Sequence, residues 1–146
     1  MKEFWRKLPA WGKIAIAILA LILLLLLIRE VKRFMNKPKP VPVNWQNVPI
    51  VGTSPTTGQT VYWDPAPLAM EISQKLEGYN FNTYPATVQK ILDLQTDDQV
   101  KLLYNHYNKN YAKDYPTLTQ LIDNEWPDWG GVYKAAVARL KALGLH

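Results

Sequence analysis

The sequence predicts a mainly α-helical protein: one N-terminal transmembrane helix, a proline-rich linker with a possible small β-hairpin, and a compact five-helix bundle. Three observations carry that prediction. Every residue from Ile14 to Ile28 is Ile, Ala or Leu; seven of the eleven prolines fall between Pro38 and Pro67; and beyond Pro67 the apolar residues recur at three- and four-residue spacing. The boundaries follow as 1–35 for a membrane anchor with basic flanks, 36–66 for the linker and hairpin, and 67–146 for the helical domain. A chain of 146 residues has room for one modest domain and an appendage. It contains no cysteine, which excludes disulfides, thiolate metal sites and a cysteine nucleophile.

The apolar run Ile14–Ile28 is about 22 Å long as a helix, short of the ~30 Å hydrocarbon layer. The deficit closes if Lys13 snorkels and the helix takes in Ala10 and Trp11 at one end and Val31 at the other. Trp5, Trp11 and Phe34 stand where aromatic rings favour the membrane interface. A cleaved signal peptide is the main competitor. The run ends in Arg29, Glu30, Val31, Lys32 and Arg33 without a small-x-small cleavage pattern, so an uncleaved span bounded by Trp11, Ile14, Ile28 and Arg29 is expected. Four basic residues precede the span and five follow it, so charge sets no orientation; the short N-terminal tail favours an N-terminus inside the cell.

Charge placement narrows the partners. The net charge is +5, but residues 1–40 carry +7 while residues 41–67 and 68–146 carry −1 each. The excess flanks the greasy run, which points to a lipid bilayer and away from nucleic acid.

Alternating prolines from Lys37 to Val43 forbid a helix and favour an extended, semi-rigid stalk. Val48–Val51 and Thr60–Trp63 are strand-like runs around a Gly, Ser, Thr and Pro tract, the pattern of a hairpin with a mobile tip. No Gly-Lys-Ser/Thr follows Gly58, so a phosphate-binding loop is not expected. Trp45, Tyr62 and Trp63 are expected to fold the segment back onto the helical domain.

In the helical domain, Leu68, Ile72 and Leu76 mark a first helix closed at Glu77–Gly78. A second starts near Tyr84 with Pro85 in its first turn and buries Val88, Ile91 and Leu92. Thr96-Asp97-Asp98-Gln99 matches the capping box and opens a third, whose inward stripe is Val100, Leu103, Tyr104, Tyr107 and Tyr111. Thr117 with Gln120 repeats that logic before Leu118, Leu121 and Ile122. Asp128 is placed to cap a last helix, using Val132, Tyr133, Ala136, Val137, Leu140 and Leu143 and ended by Gly144.

The order of five short helices, the glycine after the first, Asn82-Thr83 before the second, and the tract from Ile91 through Tyr107 to Asp114 and Glu125 resemble a single annexin repeat over residues 68–143. The resemblance implies a calcium site in which Gly78, Asn82 and Thr83 occupy the loop after the first helix and Glu125 supplies the distant carboxylate. The loop is two residues longer than the annexin pattern, and its second glycine is Asn82. Read from the residues alone, one carboxylate with a few neutral oxygens makes a weak calcium site at best.

Catalytic constellations are scarce. His106 has no second ligand at metal spacing. Asp97 and Asp98 point apart at a helix start and are accounted for by the helix dipole, and capping accounts for Asp128 beside Glu125. Neither an enzyme nor a small-molecule substrate is therefore expected. Helical spacing favours core packing for Tyr104, Tyr107 and Tyr111, with hydroxyls reaching the surface, and a core role is favoured for Trp126 and Trp129; as the alternative, these five are the candidates for a protein-binding face, since aromatic residues concentrate at binding hot spots. The expectation is a single-pass structural or adaptor protein that tethers a protein assembly to a bilayer through residues 68–146, in a cell envelope or in the internal membrane of a lipid-containing phage virion. The alternative is a calcium-dependent phospholipid-binding module.

Overall fold

The computed structural model describes residues 9–35, 38–77, 83–125, 128 and 130–146. Among them are six α-helices and one two-stranded antiparallel sheet: α1 (Ala10–Met35), a 3-10 turn (Trp45–Asn47), β1 (Ile50–Thr53), β2 (Thr60–Tyr62), α2 (Ala66–Leu76), α3 (Pro85–Leu92), α4 (Asp97–Asn110), α5 (Leu118–Asp123) and α6 (Val132–Ala142). The chain divides into two compact units, 1–37 and 38–146.

The first unit is built around α1. Its window Trp11–Ile28 has a mean hydropathy of 2.7, and only 6% of that window is buried. Eighteen residues rise about 27 Å, close to the hydrocarbon thickness of a bilayer. A helix apolar on all sides and almost wholly exposed is not the core helix of a soluble domain, which would be covered by its neighbours.

The second unit has its own core. Ala69, Ile72 and Leu76 of α2, Val88 and Ile91 of α3, Val100, Leu103, Tyr104 and Tyr107 of α4, Leu118, Leu121 and Ile122 of α5, and Tyr133, Ala136, Val137 and Leu140 of α6 form one buried cluster, with Leu145 closing it. Helix α2 packs on α3 and α4, α3 packs on α6, and α5 packs on α4 and α6. Because this core draws on no residue of α1, the unit is expected to fold without the span.

Local signals in the sequence are realised closely. Thr96 Oγ1 accepts from the Gln99 N–H, and the Gln99 side chain accepts from the Thr96 N–H, completing the capping box of α4. Thr117 caps α5 through the Gln120 N–H, and Pro85 takes the first helical position of α3, where its missing N–H costs nothing. Asp128 does cap α6, from upstream: its two carboxylate oxygens accept the N–H groups of Tyr133 and Lys134. The helix boundary itself is Gly131, whose φ of +75° lies in the left-handed region that glycine enters without strain.

The proline-rich segment departs from a free stalk. From Val41 it lies against α4, where the Asn105 side chain both accepts from the Val41 N–H (2.8 Å) and donates to the Val41 carbonyl (2.7 Å). Further along, Asp98 accepts from the Asn44 N–H (3.0 Å) and from Asn47 Nδ2 (2.8 Å). Extended backbone without ladder partners needs its polar groups satisfied when it docks on a surface, and side chains 64 and 54 residues away supply the bonds.

Candidate functional site

The described parts of the turns between the helices meet in two places: the Lys113 N–H, past the end of α4, donates to Glu77 at the end of α2, and the start of α3 meets α6 through Tyr84 and Tyr133. Thr83 and Glu125 are half-buried, whereas Gly78, Asn82, Trp126 and Trp129 lie outside the described residues. Thr83 precedes Tyr84, whose N–H donates to the Tyr133 hydroxyl oxygen (2.7 Å). Burial pushes the Tyr133 phenol up, and the nearby charges of Glu125 and Asp128 push it further, so these groups share one neighbourhood. Burial likewise raises the Glu125 carboxyl above its ordinary value. Among the described residues, no group of three or more His, Cys, Asp or Glu is placed to hold a metal ion.

Tyr104 and Tyr107 follow the inward stripe expected of α4, which corrects their alternative candidacy for a partner-binding face. Tyr104 and Tyr107 are 3% and 0% exposed and belong to the core. Helical spacing alone cannot separate a stripe that faces a partner from one that faces the neighbouring helices, and here it joins the buried core, with α2 and α5 packed on α4. The Tyr104 hydroxyl donates to the carbonyl of His146 (2.7 Å). The Tyr107 hydroxyl makes a short hydrogen bond to the Glu77 carboxylate, which also accepts from Ser73 Oγ and the Lys113 N–H. Burial first, then the Glu77 hydrogen bond and charge, hold the Tyr107 phenol far above its ordinary value, so it stays protonated. Tyr111 is half-buried beside Tyr107, with ring centroids 6.2 Å apart, and keeps an accessible edge.

Three other carboxylates, Asp97, Asp98 and Glu71, make contacts that tie parts of the fold together. Asp97 and Asp98 do point apart: Asp97 reaches Arg139 at 3.6 Å, while Asp98 is buried under the 41–47 segment. Its carboxyl is lowered chiefly by the Asn44 N–H, then by Asn47 and Lys101. Glu71 lines a groove of about 430 Å3 with Trp63, Leu68, Lys90 and Leu94. It takes hydrogen bonds from Lys75 and Lys90, both at 2.7 Å, and from Thr87. Those lysines hold its carboxyl at about 2, so Glu71 is ionised near neutral pH and serves the fold as an ion-pair partner.

A folded-state pKa below the unfolded value of 4.5 means that the Glu71 pairs stabilise the fold above that pH and are lost as pH falls from 4.5 toward 2. With the two lysines 41% and 52% exposed, solvent screening reduces the effect to about 1 kcal/mol. Urea unfolding of residues 38–146 across that window should show this loss, and Glu71→Gln should remove it. An unchanged acid slope in the variant would show that the pairs contribute nothing.

In α1, Trp11, Ile14 and Ile28 are 74%, 61% and 43% exposed, and Arg29 continues the helix, its side chain lying outside the described residues. The surface that sequence reasoning missed is the hairpin. Only Trp63 packs onto the core as expected; Trp45 and Tyr62 instead meet edge-to-face at 5.5 Å and stay 51% and 38% exposed. Ile50, Val51 and Val61 are exposed beside them. A signal for this was present: no charged residue occurs from Val41 to Trp63. Compared with protein-family models, with curated proteins and with solved structures, the chain finds no match.

Proposed function

We propose that this chain is a single-pass membrane protein whose helical unit tethers a protein assembly to a lipid bilayer. The observation that carries the reading is α1: a lipid-length apolar helix left uncovered by protein, with basic residues at both ends, joined to a unit with a separate core. The helix also runs on through Arg29–Arg33 to Met35, whereas a processed signal presents an extended, small-residue site after its apolar run. With Tyr104 and Tyr107 withdrawn into the core, the contact surface is assigned to the bundle end that carries Thr83, Tyr111 and Glu125.

Two measurements test this. The full chain should stay with the membrane pellet in alkaline carbonate at its full mass; release, or a product shortened after residue 28, removes the anchor. Crosslinking with mass spectrometry in the native membrane or particle should link residues 83–125 to one recurring protein, identifying a cell envelope or virion shell as the tethered assembly. Links to lipid alone would remove the tether.

A second reading, a calcium-dependent phospholipid-binding module, rests on the half-buried Glu125 carboxyl near Tyr133, whose hydroxyl oxygen accepts from the N–H of Tyr84, the residue after Thr83. A cation there would relieve the cost of burying the Glu125 carboxylate, so millimolar calcium should raise the melting temperature of residues 38–146 and Glu125→Gln should abolish the rise. No shift with calcium ends that reading.

A further inference from the structure

The β1–β2 hairpin and the 3-10 turn before it present aromatic and aliphatic side chains to solvent without a single charge. Trp45, Ile50 and Tyr62 border one shallow groove of about 270 Å3 together with Val48 and Pro49. Ile50 and Tyr62 are direct cross-strand partners, so their side chains share a face, and Trp45 packs edge-on to Tyr62. The turn is held from behind: Asp98 grips Asn44 and Asn47 on either side of Trp45, which leaves that indole 51% exposed. The hairpin tip is different in kind, since residues 53–60 are Thr, Ser, Pro, Gly and Gln.

We propose that this face lies against the bilayer on the side where α1 ends, at headgroup depth, with Trp45, Ile50 and Tyr62 inserted and the polar tip in water. The proposal rests on the reading of α1 as a span. Trp and Tyr are the residues that favour this depth, and an uncharged segment enters it without the cost of desolvating a charge. Insertion stops there because a two-stranded ribbon leaves outward backbone N–H and C=O groups unpaired, which hydrocarbon would penalise. The tether makes weak affinity sufficient. Five residues lie between Met35, the end of α1, and Val41, which is bonded to α4, so the six steps reach at most about 20 Å. Within that radius the bilayer is at a high effective concentration. A second copy of the chain adding a strand is less favoured, because β1 is broken by a bulge between Ile50 and Gly52 and β2 is three residues long.

The chain has no cysteine, so single nitroxide labels can be introduced cleanly at Ile50→Cys, Thr56→Cys and Ala138→Cys, all exposed positions. The full chain is reconstituted in phosphatidylcholine vesicles with and without phosphatidylglycerol, and label collisions with oxygen and with a water-soluble nickel chelate are compared. The expected result is an oxygen-to-nickel ratio several-fold higher at position 50 than at 56 or 138 in both lipids. A ratio at 50 equal to that at 138, in chains retained by the vesicles after alkaline carbonate, overturns the proposal while leaving the span intact. Release by carbonate removes the span and the proposal with it. Spin–spin broadening between labels at position 50 would place a second copy on this face and overturn the bilayer assignment.

Discussion

Tyr107→Ala in the soluble unit 38–146 is expected to lose about 3–5 kcal/mol of unfolding free energy, the range for deleting a large aromatic from a closed core. The side chain is fully buried among α2, α4 and α5 residues, so its removal leaves a cavity, and it also strips the Glu77 carboxylate of its hydroxyl donor. Against the ~5–15 kcal/mol typical of a whole domain, much of the population could unfold at 37 °C. Tyr107→Phe separates the two contributions, because it keeps the ring and removes only the bond to Glu77, for about 1–2 kcal/mol. Urea unfolding monitored by circular dichroism reads both. If Tyr107→Ala folds with near-native stability yet fails to retain a crosslinked protein, Tyr107 is a contact residue and its placement in the core is wrong. The half-buried Tyr111 is the proper probe of contact, since its substitution should alter crosslinking with a much smaller loss of stability.

The second large effect is expected at Arg139. Its guanidinium donates through Nη1 to the carbonyls of Ile91 (2.8 Å) and Leu92 (2.9 Å), and through Nη2 to that of Leu94 (2.9 Å). These are carbonyls at and just past the end of α3, where a helix runs out of its own donors. One planar cation on α6 therefore closes α3 and fixes the turn that leads into α4. Arg139→Met retains the stem and its packing while removing every donor, and should cost about 2–4 kcal/mol because the bonds are charge-assisted but not additive. Lys should fail to rescue, as a single ammonium cannot address three carbonyls in a fork. Hydrogen exchange should quicken at residues 91–96 before it does in α5. Uniform quickening across the unit, or a loss below about 0.5 kcal/mol, would show that solvent satisfies these carbonyls equally well.

On the proposals above, the unit 38–146 carries two separate contact surfaces, the hairpin and the bundle end. One is uncharged and aromatic and is proposed to meet lipid; the other holds the half-buried Tyr111, Glu125 and Asp128 and is proposed to meet protein. Asp98 links the first surface to the fold, since the carboxylate that grips Asn44 and Asn47 sits in the first turn of α4.

Features written in neighbouring residues could be read directly. The lipid-length run of α1, the reciprocal Thr96 and Gln99 cap, the Thr117 cap, Pro85 at the start of α3, and the hairpin around the Gly52–Gly58 tract all depend on residues within one turn or one strand pair, where local geometry leaves little choice. What could not be read depends on which elements pack together. The period of α4 marks Tyr104, Tyr107 and Tyr111 as an inward stripe, but how completely each is covered, with Tyr107 closed off and Tyr111 left half-buried, follows from the arrangement of the neighbouring helices. The same holds for the proline-rich segment, whose prolines dictate extended backbone and say nothing of Asn105 and Asp98 waiting far along the chain to bind it. Nothing beside Arg139 in the sequence points to the carbonyls it serves, which it reaches only because α6 packs on α3. Local conformation is set by short-range sterics and hydrogen bonds, whereas burial and long-range polar pairing are set by the shared core, which exists only when all five helices are in place.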